Sequence, residues 1–213
     1  MRDAPILCLV TDRRLARVPL EEAVAAAVLG GVDWVQLRER DLDGHALFAL
    51  AARVVAAARD AARRRGGTVR VLINRRIDIA LAVDADGVHL GYDAMSVASA
   101  RSLLGAERLI GVSAHVPGEV HAAAAAGANY AHLAPIFAPL SKPQERTPLG
   151  IAAIAACGGV FPLLAQGGLE ASNAAQAIRA GAAGIAVTGA LLAAADPGVA
   201  AHLLRATLDG VSR

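Results

Sequence analysis

Leu163-Leu164-Ala165-Gln166-Gly167-Gly168-Leu169 and Gly184-Ile185-Ala186-Val187-Thr188-Gly189-Ala190 share one pattern. Each is a short apolar run that ends in glycine and is followed by alanine-rich helical periodicity. Two adjacent strand–loop–helix units of this kind bring bare backbone N–H groups together at the N-termini of their helices. Aligned peptide dipoles and unpaired donors make such a place an anion site. In a (β/α)8 barrel the loops after strands seven and eight form the usual phosphate grip. The alternative is that these glycines only make tight turns, as many of the 21 glycines must. The position of the two units, last in a chain that counts eight, favours phosphate.

Working back from them, the same grammar repeats. Ile6-Leu7-Cys8-Leu9-Val10 is a continuous apolar run, as expected of a strand buried on both faces. Further strands are expected at 32–37, 69–73, 87–90, 109–112 and 130–134, and helices at 20–29, 44–65, 77–83, 96–104, 118–126, 151–156 and 199–208. Glycines such as Gly30-Gly31, Gly66-Gly67 and Gly127 close several of the helices. Eight strands alternating with helices in this length predict an α/β fold, a (β/α)8 TIM barrel, over one domain from 1 to 213. A doubly wound open sheet would want a glycine fingerprint after the first strand, where the chain has Thr11-Asp12-Arg13.

Composition agrees. Hydrophobic residues make up 55% and aromatics only 3%, so the core must be Ala, Val, Leu and Ile. A net charge of +2 is too small to argue for nucleic acid, and Arg63-Arg64-Arg65 reads as a solvated helix end. Cys8 and Cys157 have neither metal-ligand spacing nor a framework of partners. Without a long apolar signal region or an 18-residue uncharged apolar run, the reading is a cytoplasmic chain with no membrane partner.

Barrel chemistry sits at the C-terminal ends of strands. There the chain places Gln36, Arg38 and Arg40; Asn74 and Arg75; His89 and Asp93; Ser113 and His115; and Lys142 in a long loop at 135–148. Cations around one mouth, with two backbone anion grips, suggest a substrate bearing more than one phosphate group. Arg38 alone could equally pair with Glu39, and His89 in an apolar strand could be a hydrogen-bonded core histidine.

Taken in order, Leu9-Val10-Thr11-Asp12, Gln36-Leu37-Arg38-Glu39-Arg40, Asp86-Gly87-Val88-His89-Leu90-Gly91, Gly111-Val112-Ser113-Ala114-His115, Ala134-Pro135-Ile136-Phe137, Ser141-Lys142-Pro143, Gln166-Gly167-Gly168 and Val187-Thr188-Gly189 resemble the motifs of the thiamine phosphate synthase/TenI family over essentially the whole chain. The resemblance implies a homodimeric barrel acting on small phosphorylated heterocycles. Synthase members join a hydroxymethylpyrimidine diphosphate to a thiazole phosphate, release pyrophosphate and use Mg2+. By resemblance, Gly167, Gly168, Val187, Thr188 and Gly189 hold the thiazole phosphate. Gln36, Arg38, Arg40, Asn74, Arg75, His89, Ser113 and Lys142 meet the pyrimidine diphosphate, with Arg38, Arg40, Ser113 and Lys142 as the catalytic set.

Two departures bear on the metal. The synthase pattern has an Asn-Asp pair after strand three, and here it is Asn74-Arg75. A second metal Asp usually stands where this chain has Ala94, leaving Asp93 as a poor substitute. Magnesium needs near-octahedral oxygen ligands, so exchanging a carboxylate for a cation argues against an ordinary site. Three readings follow: a synthase-type transferase with weakened metal dependence; a metal-free TenI-type thiazole tautomerase, which Arg40 resembles but whose proton-transfer histidine would fall at Pro135; and a catalytically silent phosphate binder. For the second, His115 or His89 is the available proton shuttle.

Overall fold

The computed structural model describes residues 4–91, 93–138, 146–159 and 161–211. Eight parallel strands close into a barrel in chain order, each paired with its neighbours and β1 with β8. They are β1 Ile6–Val10, β2 Trp34–Leu37, β3 Arg70–Asn74, β4 Gly87–Leu90, β5 Leu109–Ala114, β6 Tyr130–Leu133, β7 Leu163–Gln166 and β8 Gly184–Val187. The helices among the described residues are α1 Leu20–Leu29, α2 Gly44–Arg64, α3 Ile77–Ala82, α4 Val97–Leu104, α5 Pro117–Ala125, α6 Ile151–Ala156, α7 Ala174–Arg179, α8 Gly189–Leu192 and α9 Pro197–Asp209. The expected α/β barrel is the fold. It differs from expectation in carrying two helices after β8, the first of a single turn, and in β5 extending through Ala114.

Strand side chains alternate between two environments. Leu7, Leu9, Val35, Leu37, Val71, Ile73, Val88, Leu90, Ile185 and Val187 face the helices and form the outer core with their alanine-rich faces. Cys8, Val10, Leu72, Tyr130, Leu164 and Ala186 face inward, with Ile6, Trp34 and Leu109 packed against them. Two of the six aromatics meet here, Trp34 against Tyr130 edge-on at 5.0 Å between ring centroids. Gly111 is what makes room, because a Cβ there would lie 2.0 Å from the Tyr130 ring.

The N-terminal end of the barrel is tied by one repeated device. Asp33, immediately before β2, accepts from the Leu7 N–H of β1 at 2.8 Å; Asp86, before β4, accepts from Val71 of β3 at 2.8 Å; Asn129, before β6, accepts from Ile110 of β5 at 2.8 Å. Asp33 thus precedes β2, which begins at Trp34, while its backbone already bonds Leu7 O of β1 and Arg70 N–H of β3. Arg65 is not a purely solvated helix end either: its guanidinium donates to Val28 O at 2.7 Å and Val32 O at 3.0 Å, tying α2 to the end of α1.

Candidate functional site

The inward positions change character toward the C-terminal ends of the strands. Above the apolar plug stand Gln36 on β2, Asn74 on β3, His89 on β4, Ser113 on β5, His132 on β6 and Gln166 on β7, a polar ring grading from buried Gln36, His89 and His132 to half-buried Asn74, Ser113 and Gln166. Gln36 Nε2 donates to Asn74 Oδ1 at 3.2 Å. His89 uses both ring nitrogens, Nδ1 with Tyr130 Oη at 3.2 Å and Nε2 with Ser113 Oγ at 3.0 Å. Burial, then neighbouring His132 and Arg38, hold the His89 imidazole well below its ordinary range. It is a neutral, fully bonded core histidine that positions Ser113, and not a proton shuttle near neutral pH. His115 spends Nδ1 on the Ala134 carbonyl at 2.9 Å.

His132 escapes sequence reading. Embedded in the apolar run of β6, it resembles core, and only the period-2 alternation from Tyr130 shows that it points inward with Tyr130. Its Nδ1 lies 3.2 Å from Gln166 Oε1, and its ring packs at a 40° tilt against that of His89, 4.4 Å between centroids.

After β2 the loop is braced from β1. Thr11 Oγ1 donates to Glu39 Oε1 at 2.7 Å and accepts from the Arg38 N–H at 2.9 Å. Glu39 is buried and its remaining capacity goes to the backbone N–H and guanidinium of Arg13. This settles the question of Glu39: its partner is Arg13, and neither Arg38 nor Arg40 has an ion pair among the described residues. Burial and then the charge of Arg40 lower the pKa of Arg38, the signature of a cation taken partly out of water beside its own kind. Such a group gains strongly from an incoming anion.

After β3 the chain turns sharply. Arg75 has φ +65°, an unusual conformation for a branched-free but bulky residue, and its guanidinium pairs with Asp93 after β4. Of the cations expected at the mouth, Arg75 is thus already neutralised, while Lys142 falls outside the described residues together with Ser141. The same pair bears on magnesium. The only carboxylate offered as a ligand is engaged by a cation that stands where a second carboxylate would be needed, and no group of three His, Cys, Asp or Glu capable of holding a metal occurs among the described residues. These donors do not fit a hard divalent ion.

The glycine loops close the opposite side of the mouth. Gly167 and Gly168 have φ of +95° and +61°, and their carbonyls accept from Phe137 N–H and Asn173 Nδ2. Their N–H groups have no hydrogen-bond partner among the described residues. A Cβ on Gly168 would lie 2.2 Å from Ala138 O, so this glycine also lets the loop after β6 pack against the loop after β7. The turn and the anion readings of the glycines are therefore compatible. One detail differs from expectation: α7 begins only at Ala174, so on the β7 side the bare donors belong to a loop, not to a helix end. After β8, Thr188 leads straight into the single turn of α8, whose N-terminus no side chain caps. Val187 points its side chain into the outer core, leaving only its backbone available to the mouth.

A shallow groove on the outer wall, between α2 and α3, is lined by Phe48, Val55, Arg59 and Val83. It lies away from the strand ends and from the polar ring. No helix is long and apolar enough to cross a membrane among the described residues.

Comparison with known proteins locates this geometry. A family model described as thiamine monophosphate synthase matches residues 7–191. A thiamine-phosphate synthase from Chloroflexus aurantiacus is 44% identical over 206 residues, 95% of this chain and 92% of the relative. One from Chlorobium limicola is 39% identical over 203 residues, 94% of this chain and 92% of the relative. Among solved structures, a thiamine phosphate pyrophosphorylase from Pyrococcus furiosus superposes with a TM-score of 0.84 at 28% identity, covering 99% of this chain and 98% of that one.

Proposed function

Because the chain belongs to the thiamine monophosphate synthase family, we propose that it couples a hydroxymethylpyrimidine diphosphate to a thiazole phosphate and releases pyrophosphate. The observation that carries the reading is the pairing of two anion-complementary regions at one barrel mouth. Unpaired arginines follow β2, and bare backbone donors follow β7 and β8. One region suits each phosphorylated partner. The thiazole phosphate takes Gly167, Gly168, Thr188, Gly189 and the backbone of Val187. The diphosphate takes Arg38, Arg40, Asn74, Ser113 and Lys142, with Gln36 beneath the pyrimidine ring and His89 holding Ser113.

In this reaction the breaking bond leaves its electron pair on the diphosphate oxygen, so negative charge grows there. Arg38, partly desolvated and without a carboxylate partner, is preorganised to stabilise that charge, and a donor aimed at developing charge is worth about 10²–10³ in rate. Arg75, paired with Asp93, stands where the synthase pattern has a metal carboxylate and leaves no pair of carboxylates for the ion, so the catalytic contribution of magnesium is small in this chain. The enzyme acts as a cytoplasmic homodimer, as its resemblance to the family suggests.

The metal-free isomerisation of a thiazole phosphate is the second reading, and the Arg75–Asp93 pair is what favours it. It lacks a proton carrier at His89, whose nitrogens are both occupied. Turnover of both substrates by purified protein, across a magnesium series, decides between them. Thiamine phosphate formed with only weak metal dependence is the expected result. Absence of product, with thiazole phosphate still bound, would overturn the coupling reading. Arg75→Asp should convert the wild-type response into a clearly magnesium-dependent one; a folded variant with no gain would remove Arg75 from the metal's place.

A further inference from the structure

Two buried side-chain atoms in the polar ring, Gln36 Oε1 and His132 Nε2, have no hydrogen-bond partner among the described residues. Buried polar atoms are almost always satisfied, so each of these awaits a partner that folding does not provide. At the far end of the barrel the Arg205 guanidinium is engaged by ion pairs, with Asp33 through Nη1 and with Asp209 2.8 Å from Nη2, and only its Nε is left without a neighbour among the described residues.

Both orphans at the mouth are acceptors. Gln36 spends its amide N–H on Asn74, so its free atom is the carbonyl oxygen. For His132, Gln166 Oε1 can only accept, so Nδ1 carries the shared proton and Nε2 presents a bare lone pair. Burial pushes the His132 imidazole down to about 4, leaving it neutral and that lone pair free at pH 7. The surroundings are flat and aromatic, with His89 at 4.4 Å and Tyr130 at 5.4 Å from the His132 ring. The complementary ligand is a flat heteroaromatic ring that carries N–H donors on its edge. A ring presenting a carbonyl oxygen at the same position would set acceptor against acceptor.

We propose that His132 is a specificity-determining residue whose Nε2, fixed as an acceptor by Gln166, takes a hydrogen bond from an exocyclic amine on the pyrimidine substrate. The inference rests on the coupling reaction proposed above. Its consequence is discrimination between amino- and oxo-substituted pyrimidine diphosphates. Sites built around a substrate's hydrogen-bonding group reject analogues lacking it far more strongly than they sense size.

The test compares kcat/KM for the amino and the oxo pyrimidine diphosphate in wild type, His132→Phe and His132→Gln. Wild type should prefer the amine by on the order of 100-fold. His132→Phe should cut that preference about 10-fold, mainly through KM for the pyrimidine, while KM for thiazole phosphate stays put. His132→Gln, which restores an acceptor, should recover part of it. An unchanged amino/oxo ratio in His132→Phe, with wild type turning over normally, would overturn the assignment and leave the coupling reaction standing. Wild type making no product from the amino substrate would instead remove the coupling reaction and this inference with it. Should His132→Phe fail to fold, Gln166→Leu releases the tautomer without altering the ring, and its amino/oxo ratio must fall in the same way or the proposal is wrong.

Discussion

The two ends of the barrel use polar residues in opposite ways. At the N-terminal end Asp33, Asp86 and Asn129 each accept from a backbone N–H of the preceding strand, and Asn129 and Asp33 are held in turn by Arg101 and Arg205. At the C-terminal end, among the described residues, Gln36 and His132 keep buried acceptors unpartnered, Arg38 and Arg40 form no ion pair with a carboxylate, and the glycine loops keep bare N–H groups. Satisfied polar groups stabilise the chain by itself. Unsatisfied ones cost free energy that a bound ligand would recover, which is why the proposed site is placed at the open end.

The contrast predicts that variants at the two ends fail in different ways. The largest effect belongs to the open end. Arg38→Ala should lower kcat/KM for coupling by roughly 10²–10³, the scale of losing one preorganised donor at a developing charge. Its thermal midpoint should hold or rise, because a partly desolvated cation beside Arg40 is removed. A variant that lost stability and kept its rate would invert the comparison. Second comes the closed end. Asp33→Ala strips the Leu7 N–H and Arg205 of an acceptor, and should cost about 3 kcal/mol in urea unfolding while leaving kcat/KM of the folded fraction near wild type. A large drop in rate at equal folded fraction would show that the two ends are coupled.

Much of this division is legible in the sequence, because the chain writes its strands as apolar runs closed by polar residues. The eight-fold repeat, the glycine loops and the residues Arg38, Asn74, Ser113 and Gln36 all follow from that punctuation. What escapes it is partnership. The sequence offers Arg38 as a mate for Glu39, and only the bracing of the β2 loop by Thr11 shows that Glu39 pairs with Arg13 instead. Arg75 reads as a free cation until the turn at φ +65° brings it to Asp93. His132 is hidden because a strand buried on both faces shows no polar–apolar alternation until the barrel's inside and outside are told apart.

The smallest expected effect tests the boundary between the two ends, where the buried histidines sit on the apolar plug. An ordinary histidine titrates near 6.5, and burial holds His132 at about 4. Between those values the unfolded chain binds a proton that the folded chain refuses, so stability is complete above about pH 6.5 and falls as the pH drops toward 4. For His132 alone the loss at pH 5 is about 2 kcal/mol relative to pH 7.5. His89, also lowered by burial, adds in the same direction. Carboxylates held low by arginines, such as Asp41 at about 2 beside Arg13, lose their contribution only below their ordinary range, which separates the two windows. Urea unfolding of wild type and His132→Phe at pH 7.5 and pH 5 measures the difference. If the variant loses as much stability as wild type across that interval, His132 is already protonated in the fold, its Nε2 is a donor, and the acceptor-lined floor of the mouth does not exist as described.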